Sequence, residues 1–94
     1  MIDLLIDGML SGTGVRDAVV GGYVAPDAIG LSAPLVADIA DWQRKYEEAH
    51  FLGFPANAVA ALDDEGLALA MRVRSELTDK SIGYFSNGRM ERLA

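Results

Sequence analysis

Apolar and polar positions alternate over the first seven residues. In MIDLLID, Ile2, Leu4 and Ile6 fall on one side, and Asp3, Leu5 and Asp7 on the other. That period of two marks a half-buried strand, with the aspartates on its solvated face. GMLSGTG follows, where Gly8, Gly12 and Gly14 supply turn conformations. VRDAVV fits a second strand or a short helix. GGYVAPDAIGLS, with its paired glycines and Pro-Asp signal, reads as a connection ending at Ser32.

From Ser32 the period changes to that of a helix. Leu35, Ile39, Trp42, Tyr46 and Ala49 recur on one face, while Asp38, Asp41, Arg44, Lys45 and Glu48 occupy the rest. Ser32 suits an N-cap and Pro34 a first turn, which places the helix over 33–50. Trp42 and Tyr46 share the apolar stripe, so their expected place is the core. Gly53 and Pro55 end the helix.

ANAVAALDDEGLALAMRVRSELT carries a second helical stripe of Val59, Leu62, Leu69, Val73 and Leu77. Gly66 interrupts it, at about 1 kcal/mol relative to alanine. Close approach to Trp42 or Tyr46 across the helix pair would compensate. Asp63, Asp64 and Glu65 could instead cap a helix that begins near residue 63. The tail, SIGYF-SNG-RMERL, places two short runs around Asn87-Gly88, a strong hairpin signal. Together these elements predict an α+β fold of order β(β)ααββ. A small antiparallel sheet, made of the N-terminal strand and the C-terminal hairpin, carries both helices on one face.

Ninety-four residues support one core, so residues 1–94 form a single domain. The 51% hydrophobic content argues for a folded chain and leaves apolar surface for a partner or a second copy. There is no cysteine, hence no disulfide or thiolate metal site. Asp3 and Asp7 stand where a secretory signal would carry basic residues. The longest uncharged run, Ala49 to Leu62, has 14 residues, short of the roughly 18–20 that span a membrane. A cytoplasmic, membrane-free protein is expected.

Charge is uneven along the chain. Residues 1–65 hold 11 acids and 3 bases, net −8, and residues 66–94 hold 3 acids and 5 bases, net +2. Nucleic acid should be repelled, whereas a basic protein is the better electrostatic match.

Candidate chemistries are few. Glu47 and His50 have the Glu-x-x-His spacing of di-metal bundles, but the chain has one histidine, so only a homodimer could supply a second pair. His50 is better placed to cap the carbonyl end of its helix. Asp3 and Asp7 would stand roughly 13 Å apart along a strand, beyond the ~5–9.5 Å of paired glycosidase carboxyls. Gly12-x-Gly14-x-x-Asp17 lacks a third glycine, and no Gly-x-Ser-x-Gly elbow accompanies the serines. Neither an enzyme nor a metal or other cofactor is expected.

LSAPLVADIADWQRKYEE, LDDEGLALAMRVRSEL and IGYF, over about residues 31 to 85, resemble a group of small bacterial proteins. These share a Leu-Ser helix start, a Trp followed by a Tyr, and a Glu-Gly-x-x-Leu-Ala helix. In size, charge and lack of an active site the chain is also similar to immunity proteins of contact-dependent and polymorphic toxin systems. That resemblance implies a binding protein that occludes a basic toxin domain, a nuclease by preference, and carries over no residue. Charge and exposure instead nominate Asp41, Glu47, Glu48, Asp63, Asp64 and Glu65 as the partner-binding set. A homodimeric accessory or structural protein is the alternative, with a metal-dependent enzyme completed across a dimer behind it.

Overall fold

The computed structural model describes all 94 residues. Strands β1 (Leu4–Asp7) and β2 (Gly14–Asp17) come first, then a 3-10 turn at Pro26–Ile29. Helices α1 (Ala33–Phe51) and α2 (Ala56–Glu76) follow, and β3 (Ile82–Ser86) and β4 (Glu91–Arg92) close the chain. This is the expected α+β class and element order. Residues 14–17 take the strand alternative, and Val19 and Val20 lie exposed on the turn that follows.

The helices form where apolar spacing puts them. Leu35, Ile39, Trp42, Tyr46 and Ala49 are buried along α1. Trp42 and Tyr46 lie fully inside, edge to face at 5.4 Å, and the Trp42 indole N–H donates to the Leu62 carbonyl at 2.8 Å. Ser32 does precede α1 in an extended conformation, but its hydroxyl caps nothing on that helix. Its backbone N–H and its Oγ both donate to the Glu76 carboxylate at 2.7 Å, joining the start of α1 to the end of α2. These two bonds hold the Glu76 carboxyl below its ordinary pKa. After α1, Gly53 and Phe54 adopt left-handed backbone, and the Phe54 N–H donates to the Ala49 carbonyl.

Helix α2 starts directly after Pro55, so Asp63, Asp64 and Glu65 are interior to it and cap no helix beginning near 63. Gly66 is a close-approach glycine, but the neighbour is Tyr84. A Cβ at position 66 would lie 2.2 Å from Tyr84 Cε1. The helix therefore packs on the sheet at this point, where the sequence pointed to Trp42 or Tyr46.

The sheet order is β2-β1-β3-β4, with antiparallel β1/β2 and β3/β4 pairs and a parallel β1/β3 pair. The sheet is thus mixed, where a purely antiparallel one was expected. The chain reverses direction at every connection through α1 and α2, which returns β3 to the sense of β1. Side-chain contacts trace this path. His50, near the end of α1, reaches Gly8 just past β1, while Arg74, near the end of α2, reaches the Ile82 carbonyl at the start of β3. Leu4, Ile6, Val15, Ile82 and Tyr84 face the helices and join their stripes in one core.

The hairpin forms at Asn87-Gly88 by a different route from the one its dipeptide suggests. Its turn spans four residues, Asn87 to Met90, and Met90 takes the positive φ of 55°. Gly88 is required by space, because a Cβ there would sit 2.6 Å from the Val59 methyls. Helix propensity alone favours Gly66→Ala by about 1 kcal/mol, whereas the Tyr84 overlap predicts a loss of about 2–3 kcal/mol. Urea denaturation of that variant measures which effect dominates, and a stabilised protein would refute the packing.

Candidate functional site

Two carboxylates lie inside the protein. Asp63, only 2% exposed, accepts hydrogen bonds from the hydroxyls of Tyr46 (2.9 Å), Tyr84 (2.6 Å) and Ser86 (2.7 Å). Arg89 Nε stands 3.4 Å from it. The expected place of Asp63 on an exposed acidic face is therefore corrected. It occupies a position of the α2 apolar stripe, four residues after Val59 and three before Gly66, and points into the sheet. The network continues outward, since the Tyr46 hydroxyl also accepts the Gly88 N–H and Ser86 Oγ accepts the Arg89 N–H.

Asp7, expected on a solvated strand face, is 1% exposed. As the last residue of central strand β1, it accepts from the Met9 N–H and from Asn87 Nδ2, and Arg16 Nε lies 3.3 Å away. Asn87 is buried with it, and the Arg16 guanidinium in turn covers the Phe85 ring at 5.4 Å. None of the three surface grooves is lined by Asp7 or Asp63. These carboxylates act on the protein's own donors.

Glu47 and His50 are used differently again. With Gln43 they form one face of α1 that holds the glycine-rich β1–β2 loop by its backbone. Gln43 Nε2 donates to the Met9 carbonyl, Glu47 Oε2 accepts the Ser11 N–H at 2.8 Å, and His50 Nε2 donates to the Gly8 carbonyl at 3.3 Å. His50 does not cap its own helix. Ser11, at φ 68°, is fixed in left-handed backbone by these contacts. No group of three or more His, Asp or Glu side chains is placed to hold a metal ion.

The remaining nominated acids, Asp41, Glu48, Asp64 and Glu65, stay on the outer face of the helix pair. Arg44 bonds to both Asp41 and Glu48, and Lys45 Nζ bonds to Glu65 at 2.7 Å. The Glu65 contact raises the Lys45 pKa, and the Arg44 contact lowers that of Asp41. A seam runs between the helices at this face. Towards the helix connection it opens into a trough of about 310 Å³ floored by Ala49, Leu52, Ala58, Ala61 and Leu62, with Lys45, Glu48 and Glu65 at its rim. Leu52, in its floor, is 72% exposed.

The other end of the seam is polar, about 150 Å³, lined by Asp38, Asp41, Glu65, Ala68, Leu69 and Arg72. Sequence reasoning did not single out Ala58, Ala61, Leu52 or Asp38 as site residues. The available signal was the run of small residues on the outward side of α2, opposite acidic positions of α1. A third groove, about 380 Å³, lies across the molecule beside Val19, Val20 and Lys80. Its two acids already accept backbone N–H groups, Asp3 from Ser81 and Asp17 from Val19 and Val20. No helix is long and apolar enough to cross a membrane. No protein-family model, curated protein or solved structure matches the chain.

The adjacent residues Asp63 and Asp64 should respond very differently to one substitution. Asp63→Asn breaks charge-assisted bonds to three buried hydroxyls and should lower stability by about 3 kcal/mol, while Asp64→Asn should change it by less than about 0.5 kcal/mol. Chemical denaturation of the two variants makes the comparison.

All three tyrosines have raised pKa values through burial, with Tyr23 pushed up to about 12. Below the ordinary tyrosine value of 10.0 they are protonated in folded and unfolded chains alike. Above it the unfolded chain releases protons that the folded chain retains, so stability falls as pH rises. An alkaline titration should show tyrosinate absorbance emerging with loss of structure. Early, independent ionisation of the tyrosines would contradict their placement.

Proposed function

We propose that the protein is a small acidic binding protein that docks a basic protein partner on the outer face of α1 and α2. The occlusion of a basic toxin domain, a nuclease by preference, is the form of this function that charge and size favour. The observation that carries the reading is the α1–α2 seam, an apolar trough bordered by acids. Asp38, Asp41, Glu48 and Glu65 face Arg44, Lys45 and Arg72 on this surface, leaving an acidic balance of one charge, and Asp64 is exposed on α2.

Acidic balance steers a cationic partner to this side, and the exposed Leu52 and the alanines of the trough supply surface whose burial retains it. The six residues nominated from sequence divide accordingly. Asp41, Glu48, Asp64 and Glu65 belong to the proposed interface. Asp63 stabilises the interior, and Glu47 secures the β1–β2 loop.

Replacing Asp41, Glu48, Asp64 and Glu65 together by lysine should leave the fold intact. It changes the net charge from −6 to +2, and should slow association with a basic partner at least about tenfold at low salt and abolish or reverse the salt dependence. Affinity capture with wild-type and variant baits supplies the partner, and stopped-flow mixing measures its rate. A basic protein held by wild type, lost by the variant and inhibited when bound supports the reading. A partner retained equally by both baits refutes it.

A further inference from the structure

We propose that Asn87-Gly88 is a spontaneous modification site, protected while the β3–β4 turn is closed and irreversibly altered once the turn has opened. Asparagine followed by glycine is the dipeptide most prone to deamidation, because no side chain obstructs the glycine nitrogen. The Gly88 nitrogen attacks Asn87 Cγ, and the proton it gives up leaves with Nδ2 as ammonia. Water then opens the cyclic imide at either carbonyl, giving aspartate or isoaspartate with no change of oxidation state.

Both residues are imposed by packing. Gly88 is not among the residues of positive φ, so the pair does not form the left-handed turn for which Asn-Gly is favoured. A Cβ at position 88 would strike Val59, and the Asn87 amide is a donor to Asp7. The fold therefore requires a chemically labile dipeptide at this point.

The closed turn holds both reacting groups. Asn87 is 2% exposed, and Nδ2, the leaving group, donates to Asp7 Oδ1. The attacking nitrogen is engaged as well, since the Gly88 N–H donates to the Tyr46 hydroxyl at 3.0 Å. Ser86 Oγ accepts the Arg89 N–H at 3.2 Å and fixes the chain beyond the dipeptide. Cyclisation requires Gly88 to leave Tyr46 and Asn87 to leave Asp7. Strand β4 has two residues, both exposed, and adds little to keep the turn shut. Local opening there costs less than global unfolding.

Neither product fits the closed turn. Aspartate replaces the amide donor with a second carboxylate, set against Asp7 where water is excluded. Two carboxylates there repel, and neither offers the other a hydrogen. Arg16 Nε is already engaged with Asp7 Oδ2 at 3.3 Å. Isoaspartate instead adds a methylene to the backbone where Gly88 lies against Val59. A modified turn stays open, and the bonds it gave to Asp7 and Tyr46 are lost.

The test incubates the full chain in mildly alkaline buffer, folded and in guanidinium chloride, and follows the tryptic fragment 81–89 by mass spectrometry. Asn87 is the one side-chain amide in that fragment, and Asn57-Ala58, in another, is the control for a slow site. Deamidation at Asn87 should be at least about tenfold slower in the folded chain. Equal rates in the two conditions, or an Asn87 that survives in denaturant, would overturn the protected site. Asn87→Asp makes one product directly and should lower the folding equilibrium constant at least about thirtyfold. Combining it with Asp7→Asn restores one carboxylate and one amide, and should recover stability even where the single variant is unfolded. A single variant as stable as wild type, or a double variant no better than the single, would overturn the irreversibility.

Discussion

The Asp63 carboxylate holds the layers of this molecule together. It belongs to α2, and its three hydroxyl donors come from α1 and β3. Removing a carboxylate from water is expensive unless its oxygens are well satisfied. Here three hydroxyls converge on it, two from tyrosines whose rings belong to the core itself. Tyr46 and Tyr84 thus contribute twice, by apolar area and by a charge-assisted bond at the tip. The same geometry explains Gly66, one turn along α2. The helix must come close enough for Asp63 to meet Tyr84, and any Cβ at position 66 would strike that ring.

Asp7 does for the loops what Asp63 does for the layers. A mixed sheet brings the C-terminal ends of β1 and β3 side by side, so the β1–β2 and β3–β4 connections leave from one edge. Asp7 Oδ1 takes a donor from each connection, the Met9 N–H and the Asn87 amide. From the other side, Gln43, Glu47 and His50 of α1 hold backbone atoms of the first loop. Glycines permit the sharp course of that loop, and side chains of the neighbouring helix define it.

The sequence showed most plainly those elements whose evidence is local. The apolar stripes of both helices, the breaks at Gly53-Phe54-Pro55 and the hairpin at Asn87-Gly88 are read from residues close together in the chain. The parallel β1/β3 pairing could not be read this way, because its partners lie 78 residues apart at Leu4 and Ile82. The two buried aspartates were misplaced for a related reason. A carboxylate in isolation belongs to the surface, and what keeps Asp63 inside are hydroxyls contributed by distant parts of the chain. Its position on the Val59–Gly66 stripe was visible; its partners were not. Gly66 shows the intermediate case, since the need for close approach was legible and the identity of the ring was not.

The acids of this protein therefore do two kinds of work, distinguished by how readily each can change partners. Asp63 and Asp7 are themselves shielded from water, and their hydroxyl and amide donors are set by the core and the loops packed on it, with Arg89 and Arg16 reaching in from the surface. Asp41, Glu48 and Glu65 face mobile arginine and lysine side chains at a surface where solvent screens each pair to a fraction of a kcal/mol, up to about 1. Exchanging Lys45 for a cation from another molecule changes little in the charge inventory of the seam. The gain must then come from covering apolar surface at Leu52, Ala58 and Ala61. In the proposed docking, long-range attraction would come from the acidic balance and residence from the trough, and neither would require the buried network to move.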